Sequence, residues 1–255
     1  IDWDDHSNNT SSTANFAFII SPKLLIEKFT FNGGTSFRNP TFNDLFWVDS
    51  GFSKGNPNLK PETGSSYETE ITIRPLFNNQ FTLSINGSFF RTINLIQWSP
   101  NENFVYSPQN ILDSKSSNFG ITTKINLNDF PFELVSGFNQ VNSEVLSDGD
   151  NKGMRLLYLP TNSFWSEIRL NLKSFSSVIS YRNLQDRRYS YYGDDLILKN
   201  YERLDCSISI NFNLFSRQIN LDGGARNVLD KKNIQKFYDY SEPGRSYFLS
   251  ILFNL

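Results

Sequence analysis

One cysteine, one histidine and one methionine are all that 255 residues contain of three versatile side chains. With Cys206 alone there is no disulfide framework and no thiolate metal site, and it reads as a small apolar side chain. With His6 alone, acyl-transfer chemistry lacks the positioned base that a nucleophile needs, so an enzyme is not expected. Asp2, Asp4, Asp5 and His6 have no further ligands nearby and read as a solvated loop end; no metal and no cofactor is expected. Long apolar runs are missing too, since nothing approaches the roughly 18 residues of a membrane helix. The negative mean hydropathy excludes helical spans only, because a barrel strand shows lipid every second side chain. Neither sign of charge forms a block and the net charge is -2, so nucleic acid has no electrostatic footprint. Gly33-Gly34, Gly223-Gly224 and Asp148-Gly149-Asp150 precede no helix and are not phosphate cradles; paired glycines in strands permit bends or close approaches.

What the chain has in quantity is aromatic residues, 15% of the total with 24 Phe and 11 Tyr, which favour strands and membrane interfaces. Strict alternation accompanies them. Phe81, Leu83, Ile85, Gly87 and Phe89 interleave with polar residues, as do Phe119, Ile121, Thr123, Ile125 and Leu127, and Leu204, Cys206, Ile208, Ile210, Phe212 and Leu214. Period two over such lengths is a strand with one apolar and one polar face. About eleven strands are predicted, near residues 12–20, 27–37, 66–75, 80–92, 116–127, 132–142, 164–172, 175–184, 202–213, 217–228 and 246–255, with no competing helical period.

Alternation alone does not separate a membrane barrel from a soluble sandwich, but the connections differ. Short links at Pro22, Pro75, Asn128, Lys173 and Asn213 alternate with long ones around 38–65, 93–115, 143–163, 185–201 and 229–245. Short turns on one rim and long loops on the other are the pattern of outer-membrane barrels. Phe37, Trp47, Trp98, Tyr106, Tyr158, Trp165, Tyr181 and Tyr201 lie near strand ends and suit an interfacial aromatic girdle or, for some of them equally, packing within the loops.

Two proline-anchored clusters interrupt the strands: Thr35-Ser-Phe-Arg-Asn-Pro-Thr-Phe-Asn-Asp-Leu-Phe-Trp47 and Gly55-Asn-Pro-Asn-Leu-Lys-Pro-Glu62. Each proline fixes its own φ and pushes Asn39, Asn56 or Lys60 toward extended backbone, so 39–61 is predicted to be an ordered loop, neither helix nor central strand. Arg38, Pro40, Asn56, Pro57, Leu59, Pro61 and Glu62 in this arrangement resemble a signature of TonB-dependent outer-membrane transporters. The ending is similar to that family's as well: Gly223 to Lys232, then Tyr238 to Tyr240, then Pro243-Gly244-Arg245 and the alternating face Tyr247, Leu249, Ile251, Phe253 and Leu255. The usual final aromatic is replaced by Leu255.

The resemblance implies an all-β, antiparallel transmembrane β-barrel, with residues 1–255 as the C-terminal portion, about eleven strands of twenty-two. It implies that the N-terminal plug domain and TonB box lie outside this sequence, and the absence of a signal peptide at Ile1 agrees with a fragment. Location in the bacterial outer membrane, with short turns periplasmic and the proline signature outside, follows from the same likeness. So do the expected partners: the TonB complex through the missing N-terminal region, the outer-membrane assembly machinery through the last strand, the lipid bilayer and a small-molecule nutrient. Asn94 to Trp98, leading to Tyr106 to Asn110, resembles the cobalamin and siderophore branches equally. Ligand contacts are expected at Trp98, Tyr106, Arg187, Arg188, Tyr189, Tyr191 and Tyr192, where charge and aromatic faces cluster in loops. A passive porin-like channel and a soluble secreted β-sandwich remain as alternatives.

Overall fold

A computed structural model describes residues 13–19, 26–74, 80–100, 105–127, 130–191, 196–214, 217–231, 235–237 and 240–254. Its strands are β1 (Thr13–Ile19), β2 (Ile26–Arg38), β3 (Glu62–Ile73), β4 (Phe81–Pro100), β5 (Tyr106–Leu127), β6 (Phe132–Val145), β7 (Asn162–Leu172) and β8 (Phe175–Gln185). They continue with β9 (Arg187–Arg188), β10 (Ile197–Leu198), β11 (Tyr201–Leu214), β12 (Arg217–Arg226), β13 (Gln235–Phe237), β14 (Tyr240–Ser241) and β15 (Ser246–Asn254). One helix, α1 (Phe42–Phe46), lies between β2 and β3.

Eleven strands form one antiparallel sheet in the order β1-β2-β3-β4-β5-β6-β7-β8-β11-β12-β15; β9 with β10, and β13 with β14, make small ribbons. Each strand of the large sheet pairs with its chain neighbours, as a meander does. Among the described residues β1 and β15 have one partner each, so the sheet is an open wall.

Register shows why the alternation matters. Ile71, Ile85, Ile121, Phe138 and Phe164 follow one another across five strands on one face. Ile168, Ile179, Cys206, Ala225 and Tyr247 continue that face to the far edge. Phe138, Phe164, Ile168, Ile179 and Tyr247 on this face are exposed, as are Phe119, Ile208, Phe212, Leu249 and Phe253 of the same parity, while Ile71, Ile85, Ile121, Cys206 and Ala225 are half-buried, so among the described residues no second layer covers the apolar face. On the opposite face run Glu68, Glu70, Asn86, Glu133, Glu167, Arg169, Arg182, Arg203, Asp205 and Asp222. Arg169 bridges Glu133 and Glu167 there, and Lys124 also pairs with Glu133. An apolar exterior with a charged interior inverts the arrangement of a soluble sandwich, whose apolar faces meet.

Among the described residues the wall is one sheet thick and has almost no core. Leu45, Leu59, Ile96, Val145, Tyr191, Leu198 and Tyr201, seven of the buried hydrophobic residues, lie at the rim of long connections. We call this the loop rim; the opposite, turn rim carries links such as Lys173-Ser174.

Four expectations are corrected. The segment 39–61 contains helix α1, because Pro40 stands before the helix and Thr41 caps it; the prolines exclude only the residues beside them. The supposed loop 93–115 is mostly ribbon: β4 and β5 extend to Pro100 and Tyr106, past shifts in register after Thr92 and Leu95 and a positive φ of 58° at Asn94. Those irregularities break the alternation, and Pro100 and Pro108 are tolerated where each strand has a single partner. The supposed loop at 185–201 carries the β9–β10 ribbon. Trp165 leaves the girdle for the polar face, where its indole lies across Gly137, its partner in register. The predicted turn residues Pro22, Pro75 and Asn128, the acidic group with His6, Tyr192, Tyr238 and Leu255 lie outside the described residues.

A Cβ at Gly137 would overlap the Trp165 ring, whereas one at Gly87 would rest 3.8 Å from Thr69 Cγ2, an ordinary contact. Gly137→Ala is therefore expected to destabilise the barrel by about 1–3 kcal/mol through overpacking, and Gly87→Ala to leave it within about 0.5 kcal/mol. Urea unfolding in lipid vesicles compares the two; equal stabilities would contradict the packing of Trp165.

Candidate functional site

The loop rim is built on a clamp. Arg38 ends β2, Glu62 begins β3, and the two face each other in register. Arg38 Nε and Nη2 donate to Glu62 Oε2 and Oε1 at 2.7 and 2.6 Å, a bidentate pair that closes the excursion between them. Glu62 also accepts from the Ile96 backbone N–H at 2.7 Å, so one carboxylate ties the base of the loop to β4.

Above the clamp, α1 is fixed by a reciprocal cap. The Asp44 N–H donates to Thr41 Oγ1, and the Thr41 N–H donates to Asp44 Oδ2. Trp98 Nε1 donates to the other Asp44 oxygen at 3.0 Å. Leu45 and Leu59 then pack on Ile96, with Phe46 beside them. Gly55 lets the returning chain pass beneath the helix, since a Cβ there would stand 2.7 Å from the Leu45 carbonyl oxygen. Asn56 Nδ2 donates to the Pro108 carbonyl, and Asn110 both accepts from the Lys60 N–H and donates to the Lys60 and Asn94 carbonyls. Arg38, Pro40, Asn56, Pro57, Leu59, Pro61 and Glu62 thus frame a folded cap seated on the β4–β5 ribbon.

A second layer packs near the same ribbon. Leu95 joins Val145, Tyr191, Met154, Leu156 and Leu157, while its neighbour Ile96 serves the cap. The closing motif forms a knot of its own: Asn227 Nδ2 donates to the Lys231 and Pro243 carbonyls, the Arg245 N–H donates to Asp230 Oδ1, and Arg245 Nε donates to the Val228 carbonyl. Gly244 sits where a Cβ would crowd that Asp230 oxygen.

The sequence-derived ligand candidates divide by exposure. Tyr106 is exposed, and Arg188 and Tyr189 are half-buried, with Arg188 Nε donating to the Ser190 carbonyl. Trp98 is half-buried, held by Asp44 and set edge-on to Trp47. Arg187 is 2% exposed, donates to the Lys199 carbonyl and stacks over Tyr201, and Tyr191 is buried in the second cluster, so both serve the packing of the loop layer. Sequence reasoning missed the most exposed apolar residues of the rim, Phe42, Val48 at 80% and Phe52 at 83%. The only signal was their lack of periodicity inside a Pro- and Asn-rich stretch. Their turn is rigid: the Gly51 N–H donates to Asp49 Oδ1, and Phe52 and Lys54 bracket Tyr106 through backbone bonds.

A single antiparallel wall, apolar outside and polar inside, with an ordered cap on one rim, defines a segment of a transmembrane β-barrel. The chain belongs to the family described as TonB dependent receptor-like, beta-barrel, whose model matches residues 1–228. It is a family of receptors located in the outer membrane, so the apolar outer face is the lipid face. Over 101 residues the chain is 37% identical to a vitamin B12 transporter, BtuB, of Photobacterium profundum, covering 40% of this chain and 15% of that one. A Vibrio vulnificus transporter of the same name is 36% identical over 115 residues, 44% of this chain and 17% of that one. Among solved structures, the ferric citrate transporter FecA superposes with a TM-score of 0.70 at 12% identity over 96% of this chain and 38% of that one. A ferric enterobactin receptor, PfeA, of Pseudomonas aeruginosa gives 0.66 at 15% identity over 95% and 40%. These superpositions establish the fold, and the chain spans well under two thirds of each relative's length.

Truncating Glu62 removes the clamp and orphans the buried Ile96 N–H, a loss of about 1–3 kcal/mol beyond the pair itself. Arg38 is half exposed, so Arg38→Ala is expected to cost less, about 1 kcal/mol. Hydrogen exchange over residues 39–61 should accelerate more in Glu62→Ala than in Arg38→Ala; the reverse order would contradict the role of Glu62.

Burial alone would raise the Asp44 pKa, but the bonds from Thr41 and Trp98 and the charge of Arg38 outweigh it, and the carboxyl titrates below its ordinary range. A depressed folded pKa stabilises the cap above the unfolded value of about 3.9 and is lost as pH falls through the folded value. The near-ultraviolet circular dichroism of the Trp47–Trp98 pair should hold from neutral pH to about 4 and decline below it, and Asp44→Asn should abolish that step.

Proposed function

We propose that this chain forms wall and capture surface of an outer-membrane receptor for a scarce nutrient of the ferric siderophore or cobalamin type, imported with energy from TonB. The observation that carries the reading is the cap: an ordered structure at the mouth of a polar-lined wall, presenting Phe42, Trp47, Val48, Phe52 and Tyr106 to solvent. Rigid exposed aromatics bind at low entropic cost, because little freedom is left to lose. The relatives' names, a vitamin B12 transporter and a ferric enterobactin receptor, support the substrate class without choosing within it.

In this reading the loop rim faces the medium and the turn rim the periplasm. The unpaired edges at β1 and β15 are closed by further strands, since an open edge in lipid leaves backbone groups unsatisfied at several kcal/mol each by rough estimate. A plug domain and a TonB box belong to the same receptor outside these residues. The exposed face of β15, with Tyr247, Leu249, Ile251 and Phe253, is the surface offered to the assembly machinery.

Cells depending on the full-length protein should take up radiolabelled cyanocobalamin or a ferric siderophore saturably, and a protonophore should stop it. Trp47→Ala with Phe52→Ala is expected to weaken ligand binding about tenfold or more. Uptake that is linear in concentration and unaffected by the protonophore would point instead to a passive, porin-like channel.

A further inference from the structure

The lipid-facing band changes character toward the loop rim on β4 and β5. Outward residues run from Phe81 to Phe89 on one strand and from Leu127 back to Phe119 on the other. Eight steps of about 3.4 Å, on strands tilted by roughly 40°, give close to the height of a barrel's apolar band. Tyr67 and Phe89, paired in register, form an aromatic row, and Phe37, Thr63 and Ile93 stand two rows beyond it, so the row between them lies within the interfacial girdle.

Two residues further toward the loop rim, the same outward face carries Ser65, Arg91, Lys115 and Glu144, in register across four strands. Arg91 is exposed and has no ion-pair partner among the described residues, whereas Lys115 Nζ lies 2.7 Å from Glu144 Oε2. Two cations directly opposite on an antiparallel ladder repel each other unless an anion lies between them. Glu144 compensates one of the two, and the row keeps one positive charge on the side of the wall that touches lipid.

We propose that Arg91 and Lys115 form a binding site for the phosphate group of a membrane lipid. The row continues the lipid-contacting surface and stands at headgroup level, so a lipid whose chains lie on Phe89 and Phe119 brings its phosphate to these two side chains. The Arg91 guanidinium offers paired donors that match two phosphate oxygens, and Lys115 adds a point charge. The Ser65 hydroxyl, on the other side of Arg91, is a further donor. The site lies on the outside of the wall, away from the nutrient path.

The full-length receptor would be reconstituted in vesicles of phosphatidylcholine with a minor share of phosphatidic acid, re-extracted in mild detergent, and its retained lipid identified by mass spectrometry. Phosphatidic acid should be enriched over its share in the vesicle. Arg91→Gln and Lys115→Gln should each lower the enrichment about fivefold, the effect of one cation at an anionic surface. Arg91→Lys should keep most of it, and Lys152→Gln, a loop cation outside the row, should keep all of it. Gel mobility before and after heating would confirm that each variant is folded. Equal enrichment in the wild type and in the folded double variant Arg91→Gln, Lys115→Gln, or no enrichment in the wild type, would overturn the proposal.

Discussion

Inside a bilayer there is no water to receive a backbone hydrogen bond, so every N–H and C=O that crosses must be paired within the protein. The rest of this structure depends on that constraint. It selects a continuous antiparallel meander and holds adjacent strands in unbroken register from Leu83 to Arg91 on β4 and from Lys115 to Leu127 on β5. It also sorts side chains, since a period of two puts Ile85, Ile121 and Phe138 toward lipid and Asn86, Gly120 and Asn139 toward the interior. Irregular backbone is confined to where water returns. The register shifts in β4 begin after Thr92, just beyond the Arg91 row.

Stability therefore divides into two layers. The wall is held by ladder bonds, by lipid on one face and by ion pairs such as Glu133 with Arg169 on the other. The loop rim folds like a small soluble protein, with its own core around Leu45, Leu59 and Ile96 and its own helix cap. Glu62 joins the two, because it starts β3, clamps Arg38 and holds the N–H of Ile96. The proline signature is thus the part of the sequence that turns a long connection into a rigid surface. The exposed aromatics of the cap are presented by that rigidity.

The wall was legible because alternation is a local property; Leu204 to Leu214 reads as a strand with no knowledge of its neighbours. Its ends were less so. The continuation of β4 past Asn94 was hidden, because irregular register cancels the period that reveals a strand. Helix α1, at five residues, is too short to show a helical period, and only Thr41 with Asp44 hinted at it. The signature residues were legible as a motif, but their partners were not: Glu62 meets an N–H thirty-four positions away, and Asp44 meets Trp98 fifty-four away. For the same reason Arg187 and Tyr191 looked like free loop side chains and are buried. Trp165 read as an interfacial aromatic because sequence does not reveal that Gly137 lies opposite.

The central claim is that one face of this wall meets lipid and the other does not. Cysteine scanning of β5 from Ser116 to Leu127, in the full-length protein carrying Cys206→Ser, with a spin label at each position in turn, tests it most directly. Collision with oxygen, which concentrates in lipid, and with a water-soluble nickel complex should alternate in opposite phase, with oxygen access highest at 119, 121, 123 and 125. Uniform access to the nickel complex along the strand, or an alternation in the opposite phase, would contradict it.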